Sequence, residues 1–396
     1  MRLFRAPTRV FAVIRKELIE LVRRPGAVLS LIFGPLLIMG LFGLGFSGAR
    51  RPFDAIVVLP AASELPRDPA FYQRVSRSAL TIVSVTEDVE AARGRLDSGT
   101  VAMLVIAPAD ARQRLERGEH ATVRVELNQL DPVADAIARS VADIIAYEMS
   151  AELIAAVARE GLGRPEAAVV VARSTAPETV ARPVKAEVQN RAPVRPSLLT
   201  FFAPAVLALV LQHLGITMTA LSMVRERGSG AIDILRVAPI STIELLLGKY
   251  IAYAITSLVV AALVLVVTTN LLQIPFLGDT LELATLVVLL TFAALGTGLL
   301  ISLWSDSERQ AVQLATLVLL LSVFFSGFVI PVSELRMPVQ ALAYALPVTY
   351  AIPAFQQEML RGQLPDATAL AAMAAIGALL FILSAARLRQ VLRRAA

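Results

Sequence analysis

Chemistry needs side chains that can ionise, ligate or attack, and this chain of 396 residues has few in useful pairs. There is no cysteine, which removes disulfides, thiolate metal sites and thiol nucleophiles. The two histidines, His120 and His213, lie far apart in sequence, so no metal site is expected. A Walker A phosphate loop is also missing: Gly248-Lys249 is followed by Tyr250, and Ile243 stands where the first glycine belongs. No catalytic residue is assigned, and the chain alone is not expected to hydrolyse ATP.

Its most informative polar stretch is Arg225-Glu226-Arg227, followed by Gly228, Gly230, Asp233, Leu235 and Pro239. Ile232, Leu235 and Val237 form an apolar side, Asp233 and Arg236 offer ion-pairing groups, the glycines loosen the entry, and Pro239 stops the helix. A short amphipathic helix of this kind can dock in a groove of another protein and pass on rigid-body motion. A solvated loop without a partner is the alternative that periodicity leaves open. Gln212 and His213 fall in the middle of an apolar run, where polar groups either bond across helices or line a path.

The elements that would position these groups are membrane elements. Hydrophobic residues make up 56% of the chain, charged ones 17%, and mean hydropathy is +0.69. About six stretches are long enough to cross a hydrocarbon core: residues 27–47, 198–222, 250–272, 283–304, 311–331 and 367–386. None contains Asp, Glu, Lys or Arg. Although the pI is about 9.9, the basic residues crowd at the ends of apolar runs, so no nucleic-acid partner is expected and the partner surface is the lipid bilayer. Basic residues precede the first span, fill the interval after the second, and follow the last. That places both termini in the cytoplasm, and the loops around Gly278-Asp279-Glu282 and over residues 332–362 outside.

Residues 48–196 read as an α/β domain on the outer side, inserted between the first and second spans of an α-helical membrane protein. Strand patterns occur at 55–59, 81–85, 101–106 and 122–127, helical ones at 68–78, 89–96, 109–117 and 132–160. Residues 161–196, rich in proline, suggest an extended return to the membrane. Within residues 1–26, the stretch from Thr8 to Arg24 has the spacing of an amphipathic helix lying in the inner interface; a topology signal alone is the plainer reading. Residues 197–396 carry the remaining spans, with a cytoplasmic segment at 223–249 and an outer segment at 332–362.

Two stretches carry a family resemblance. Met223–Tyr250 resembles the coupling segment of type-2 ABC exporter permeases: Arg225-Glu226-Arg227 takes its charged start, Gly230-Ala231-Ile232-Asp233 its Gly-Thr-x-Glu, and Leu235 and Pro239 its last positions. Ala231 and Asp233 depart from the usual Thr and Glu. Ser326–Ile352 is similar to the family's outward segment, in Gly327-Phe328, Pro331, Met337-Pro338 and Pro347-Val348-Thr349-Tyr350. The prolines there interrupt helices, which a re-entrant outer gate tolerates; an ordinary structured loop is the alternative. A third and looser match is Leu96–Pro132, which is similar to the outer domain of drug-efflux members.

The resemblance implies a permease subunit in the bacterial inner membrane that moves a hydrophobic or amphiphilic, drug-like molecule outward. It implies a partner ATPase carrying ATP and magnesium, a second permease copy or paralogue, and room for a periplasmic adaptor. Independently, spans without carboxylates lack the usual means of ion coupling, so uphill work would have to arrive through contact with another protein. A membrane-anchored ligand sensor or scaffold, and an ion-coupled secondary transporter, are the rival readings.

Overall fold

The structure, a computed structural model, describes residues 52–61, 63, 67–76, 79–117, 119–161, 179, 181–230 and 242–393. The expected N-terminal helix and first span lie outside them. The chain divides into two compact units, one of Arg50–Phe201 and one containing the residues from Phe202 onward.

The first unit is built on a five-stranded sheet: β1 (Phe53–Val58), β2 (Leu80–Thr86), β3 (Met103–Ile106), β4 (Ala121–Leu127) and β5 (Val184–Asn190), in the order β2-β1-β3-β4-β5. Only β3 and β4 pair antiparallel. Alternation along the strands sends side chains to two faces. Ala55, Val57, Met103 and Val105 meet α1 (Pro69–Val75) and α4 (Pro132–Gly161) on one. Ile56, Val58 and Leu104 meet Ala92 and Leu96 of α2 (Val89–Asp97) on the other. Among the described residues the unit also contains α3 (Ala111–Glu116).

β5 differs from the extended return expected over 161–196. Its apolar Val184, Ala186 and Val188 alternate with Lys185, Glu187 and Gln189, and the strand pairs parallel to β4 along its full length. A buried carboxylate then fixes the chain beyond β5. Glu126, fully buried on β4, accepts from Arg93 Nε at 3.0 Å and Nη2 at 2.6 Å, with Arg191 Nη1 at 3.7 Å. Arg191 also donates to both carboxylate oxygens of Asp97, each at 3.2 Å. The hydrogen bonds to Glu126 and then Glu90 hold the Arg93 guanidinium above its ordinary range.

The second unit is helical. Its long helices are α5 (Leu198–Gly228), α6 (Thr242–Val266, continued by a π turn through Leu271), α7 (Thr280–Trp304), α8 (Glu308–Phe325) and α11 (Ala367–Arg393). Among the described residues these five are long and apolar enough to cross a membrane. Between α8 and α11 lie the short α9 (Val339–Tyr344) and α10 (Pro347–Arg361). α7 is the centre: 72% of its apolar window is buried, against 17% for α6 and α11. Gly298 lets α7 approach α5, because a Cβ there would lie 2.2 Å from the Ile216 carbonyl oxygen.

Candidate functional site

One end of the helical unit gathers charge. α5 stays helical beyond its apolar run, through Arg225, Glu226, Arg227 and Gly228, because arginine and glutamate are good helix formers. It stops where Gly230 takes φ +73°, a left-handed geometry that glycine adopts without a Cβ clash. The N–H groups of Ser229 and Gly230 close the helix end on the carbonyls of Arg225 and Arg227, at 2.8 and 3.4 Å.

Lys249, on α6, reaches back to this end. Its ammonium donates to Ser222 Oγ at 2.7 Å and to a carboxylate oxygen of Glu226. The two charged side chains are largely covered, at 12% and 25% exposed, so their pairing matters more than that of a surface pair. The pair joins the two helices that flank residues 231–241 in sequence. Asp233, Leu235 and Pro239, within that interval, lie outside the described residues.

The turn from α7 to α8 completes the same end. Arg225 Nε donates to Glu308 Oε2 at 3.1 Å, an exposed pair. Ser307 caps α8 by accepting from the Gln310 N–H at 3.3 Å, and Gln310 Oε1 accepts from the Asp306 N–H at 2.9 Å. Between this turn and the end of α5 is a cavity of ≈ 710 Å³ lined by Arg225, Arg227, Ser229, Ser305, Asp306 and Glu308, among others. The Nε and Nη2 of Arg227 are buried with no acceptor among the described residues, and Asp306 is the acid that bears on them. Sequence reasoning missed Ser222, Lys249, Asp306 and Glu308. The sequence reads Lys249 for topology and for the absent Walker A loop; its place immediately before the apolar run at 250–272 is the available signal for a partner.

In the middle of the unit, Gln212 is buried and its Nε2 donates to Ser322 Oγ at 2.7 Å, tying α5 to α8. Its Oε1 and His213 Nδ1 have no partner among the described residues. His213 Nε2 stands 3.5 Å from Thr217 Oγ1 on the same helix.

At the opposite end the proline-rich segment forms one apolar cluster. Phe325, Ile330, Leu335, Val339 and Ala343 are its buried members. Gly327 adopts φ +93° and Phe328 meets Phe202 edge-on, with ring centres 5.1 Å apart. Pro331 precedes a short 3₁₀ turn, Pro338 precedes α9, and Pro347 opens α10, the helix position where a missing N–H costs least. Thr349 Oγ1 donates to the Ala343 carbonyl at 2.5 Å, joining α10 to α9, and Tyr350 lies 6.0 Å from Tyr344 between ring centres. Gly327, Phe328, Pro331, Pro338, Pro347, Thr349 and Tyr350 all belong to this end.

Apolar helices of spanning length, capped at one end by a charged platform and at the other by a proline-broken segment, define a membrane-embedded transport subunit. The family model described as ABC-2 family transporter protein matches residues 26–386, and the chain belongs to that family. It is the permease subunit of an ABC exporter, and ATP hydrolysis belongs to a separate ATPase subunit. Among its relatives, the probable multidrug ABC transporter permease YbhS of Escherichia coli (strain K12) is 25% identical over 362 residues, 90% of each chain. YbhR of the same organism, with the same description, is 26% identical over 345 residues, 86% of this chain and 87% of that protein. The inner membrane transport permease YhhJ of Escherichia coli (strain K12) is 28% identical over 177 residues, 44% of this chain and 47% of that protein.

Proposed function

We propose that this permease exports a hydrophobic or amphiphilic, drug-like molecule from the cytoplasm or inner leaflet, and that its charged end is where the ATPase delivers force. In this reading residues 27–47 are a first span, which makes six, and the sheet-containing domain stands outside the bacterial inner membrane between the first and second. Both termini face the cytoplasm. Two copies, or this chain and a paralogue, meet around a central path. Gln212 and His213 border that path, and the segment at 332–362 gates its outer mouth.

ATP-driven closure of the ATPases moves residues 223–249 as a unit and switches the path from inward to outward access. The observation that carries this reading is the Lys249–Glu226–Ser222 junction. It locks the helices on both sides of residues 231–241 to each other, so a push on that interval reaches α5 and α6 together. In the same reading, which rests on the family resemblance alone, the outer domain is a docking place for a periplasmic adaptor.

A photo-crosslinking amino acid at Asp233 or Leu235 tests the contact. Capture of the co-expressed ATPase, changing in yield between nucleotide-free and ATP-bound states, is the expected result. Capture of lipid alone in both states would remove the coupling role from this segment.

A further inference from the structure

One buried acid has no place in this mechanism. Glu358, in the last turns of α10, is fully buried among the helices. Its Oε1 accepts from the Asp279 backbone N–H at 2.6 Å, and the Glu282 carboxyl is the side chain within hydrogen-bonding reach of the Glu358 carboxyl. The chain between α6 and α7 is pressed tightly onto this site. The Leu277 N–H donates to the Met359 carbonyl at 2.9 Å. A Cβ on Gly278 would lie 2.1 Å from Glu358 Oε1 and 2.3 Å from the Glu358 carbonyl oxygen, and one on Gly362 would lie 2.5 Å from the Leu277 carbonyl oxygen. Two glycines therefore clear the way for a backbone-to-backbone contact whose centre is a carboxyl group.

The charged groups that bear on Glu358 are both acids: Asp279, the cap of α7, and Glu282, in its first turn. α8, α9 and α11 also pack on α10, and among the described residues they bring no charge to bear on this carboxyl. An ionised Glu358 would hold a buried charge facing two carboxylates, neither of which can donate to it when ionised, an arrangement a protein resolves by protonation or by opening to water. Burial first, then those acids, raises the Glu358 pKa above the usual carboxylate range, against the pull of the Asp279 N–H.

We propose that Glu358 is a proton-operated latch: as a neutral acid it holds the turn at 272–279 onto α10, and its ionisation releases that turn. The sign follows from linkage. A group whose pKa is raised in the closed state contributes fully below its ordinary range, and that contribution disappears as pH rises through the raised value. The latch is therefore shut in acid and loosens toward alkali. It deepens the reading of this end as the outer gate and rests on it for the side of the membrane whose pH is sensed.

The chain has no cysteine, so nitroxide labels on Thr280→Cys and Gln363→Cys report the contact without background. In the purified full chain, in lipid nanodiscs, the distance between labels is measured from about pH 5, just above the ordinary glutamate value, up to about pH 10. One narrow distance at the acid end that broadens reversibly toward the alkaline end is expected, and Glu358→Gln, which keeps a neutral acceptor, stays narrow throughout. Glu282→Gln, which removes a neighbouring charge, starts to broaden at lower pH than the parent. A parent distance that stays narrow throughout, a Glu358→Gln chain that broadens like the parent, or an unmoved midpoint in Glu282→Gln would overturn the latch. The distance measurement uses neither ATPase nor cargo, so a contact that responds to pH while ATP-driven dye export by the permease–ATPase complex is the same in the parent and in Glu358→Gln would keep the latch and remove the gate reading.

Discussion

The two ends of the helical unit are held together by different physics. At one, Lys249 with Glu226, Arg225 with Glu308, and Arg227 facing Asp306 form a polar platform beside a cavity. At the other, close backbone contact, a packed apolar cluster around Phe325 and Val339, and one buried carboxyl hold the segments. Exposed charge–charge contacts such as Arg225 with Glu308 can be exchanged for contacts with a partner at small net cost while the covered Lys249–Glu226 pair keeps the two helices together, whereas tightly packed contacts resist partial movement and favour discrete states. The first end is thus suited to receive a push and the second to be either shut or open.

Substitutions sharpen this contrast, beginning with the largest effect. Gly278→Ala forces a Cβ onto the carboxyl and carbonyl of Glu358 and is expected to cost about 2–3 kcal/mol through overpacking, read as a lower thermal unfolding midpoint in detergent. An unchanged midpoint would mean that the backbone contact is not tight. Lys249→Met leaves the largely covered Glu226 unpaired, with about 1–2 kcal/mol lost. Its stronger signature is functional: ATPase turnover of the complex is kept while dye export falls about tenfold, equivalent to about 1.4 kcal/mol of coupling. The exchange Lys249→Glu with Glu226→Lys should restore export, and equal loss of both activities would point to simple misfolding.

Gln212→Leu removes the bond to Ser322 and should cost about 1 kcal/mol, the usual scale for a hydrogen bond between membrane helices. If Gln212 also borders the path, dye selectivity shifts with it; unchanged selectivity leaves it a structural bond. The smallest effect belongs to Arg225→Ala, whose partner Glu308 is exposed, with about 0.5 kcal/mol or less at stake. A large loss of stability there would contradict the view of this end as a loosely held platform.

Much of the architecture was legible because lipid and sheet burial both leave strong periodic signals. The strands around Ala55, Ile82, Val105 and Val125 and the spans from Leu198, Leu283 and Ala367 could be read directly. Their ends were harder. Hydropathy ended the second span at 222, yet the helix runs to Gly228, since hydropathy marks the lipid boundary and not the last hydrogen bond. It carried the fifth to 331, whereas α8 ends at Phe325, just before Ser326 and Gly327. β5 was hidden by neighbouring prolines, and its alternation gained meaning only beside β4.

The candidate site was legible as composition but not as pairing. Arg225-Glu226-Arg227 announces a charged helix end, and Pro347-Val348-Thr349-Tyr350 a helix start. That Lys249 would choose Glu226, that Gln212 would find Ser322, or that Glu358 would meet Asp279 depends on contacts far apart in sequence. Glu358 is a telling case: one acid in a short helix gives no sign in sequence that it will be buried.

Transport by the assembled complex tests the central claim most directly. In sealed vesicles holding this permease and its ATPase, an amphiphilic fluorescent dye should accumulate only when ATP is hydrolysed, and should continue to do so after the proton gradient is collapsed. Accumulation by the permease alone, without an ATPase, would contradict the account.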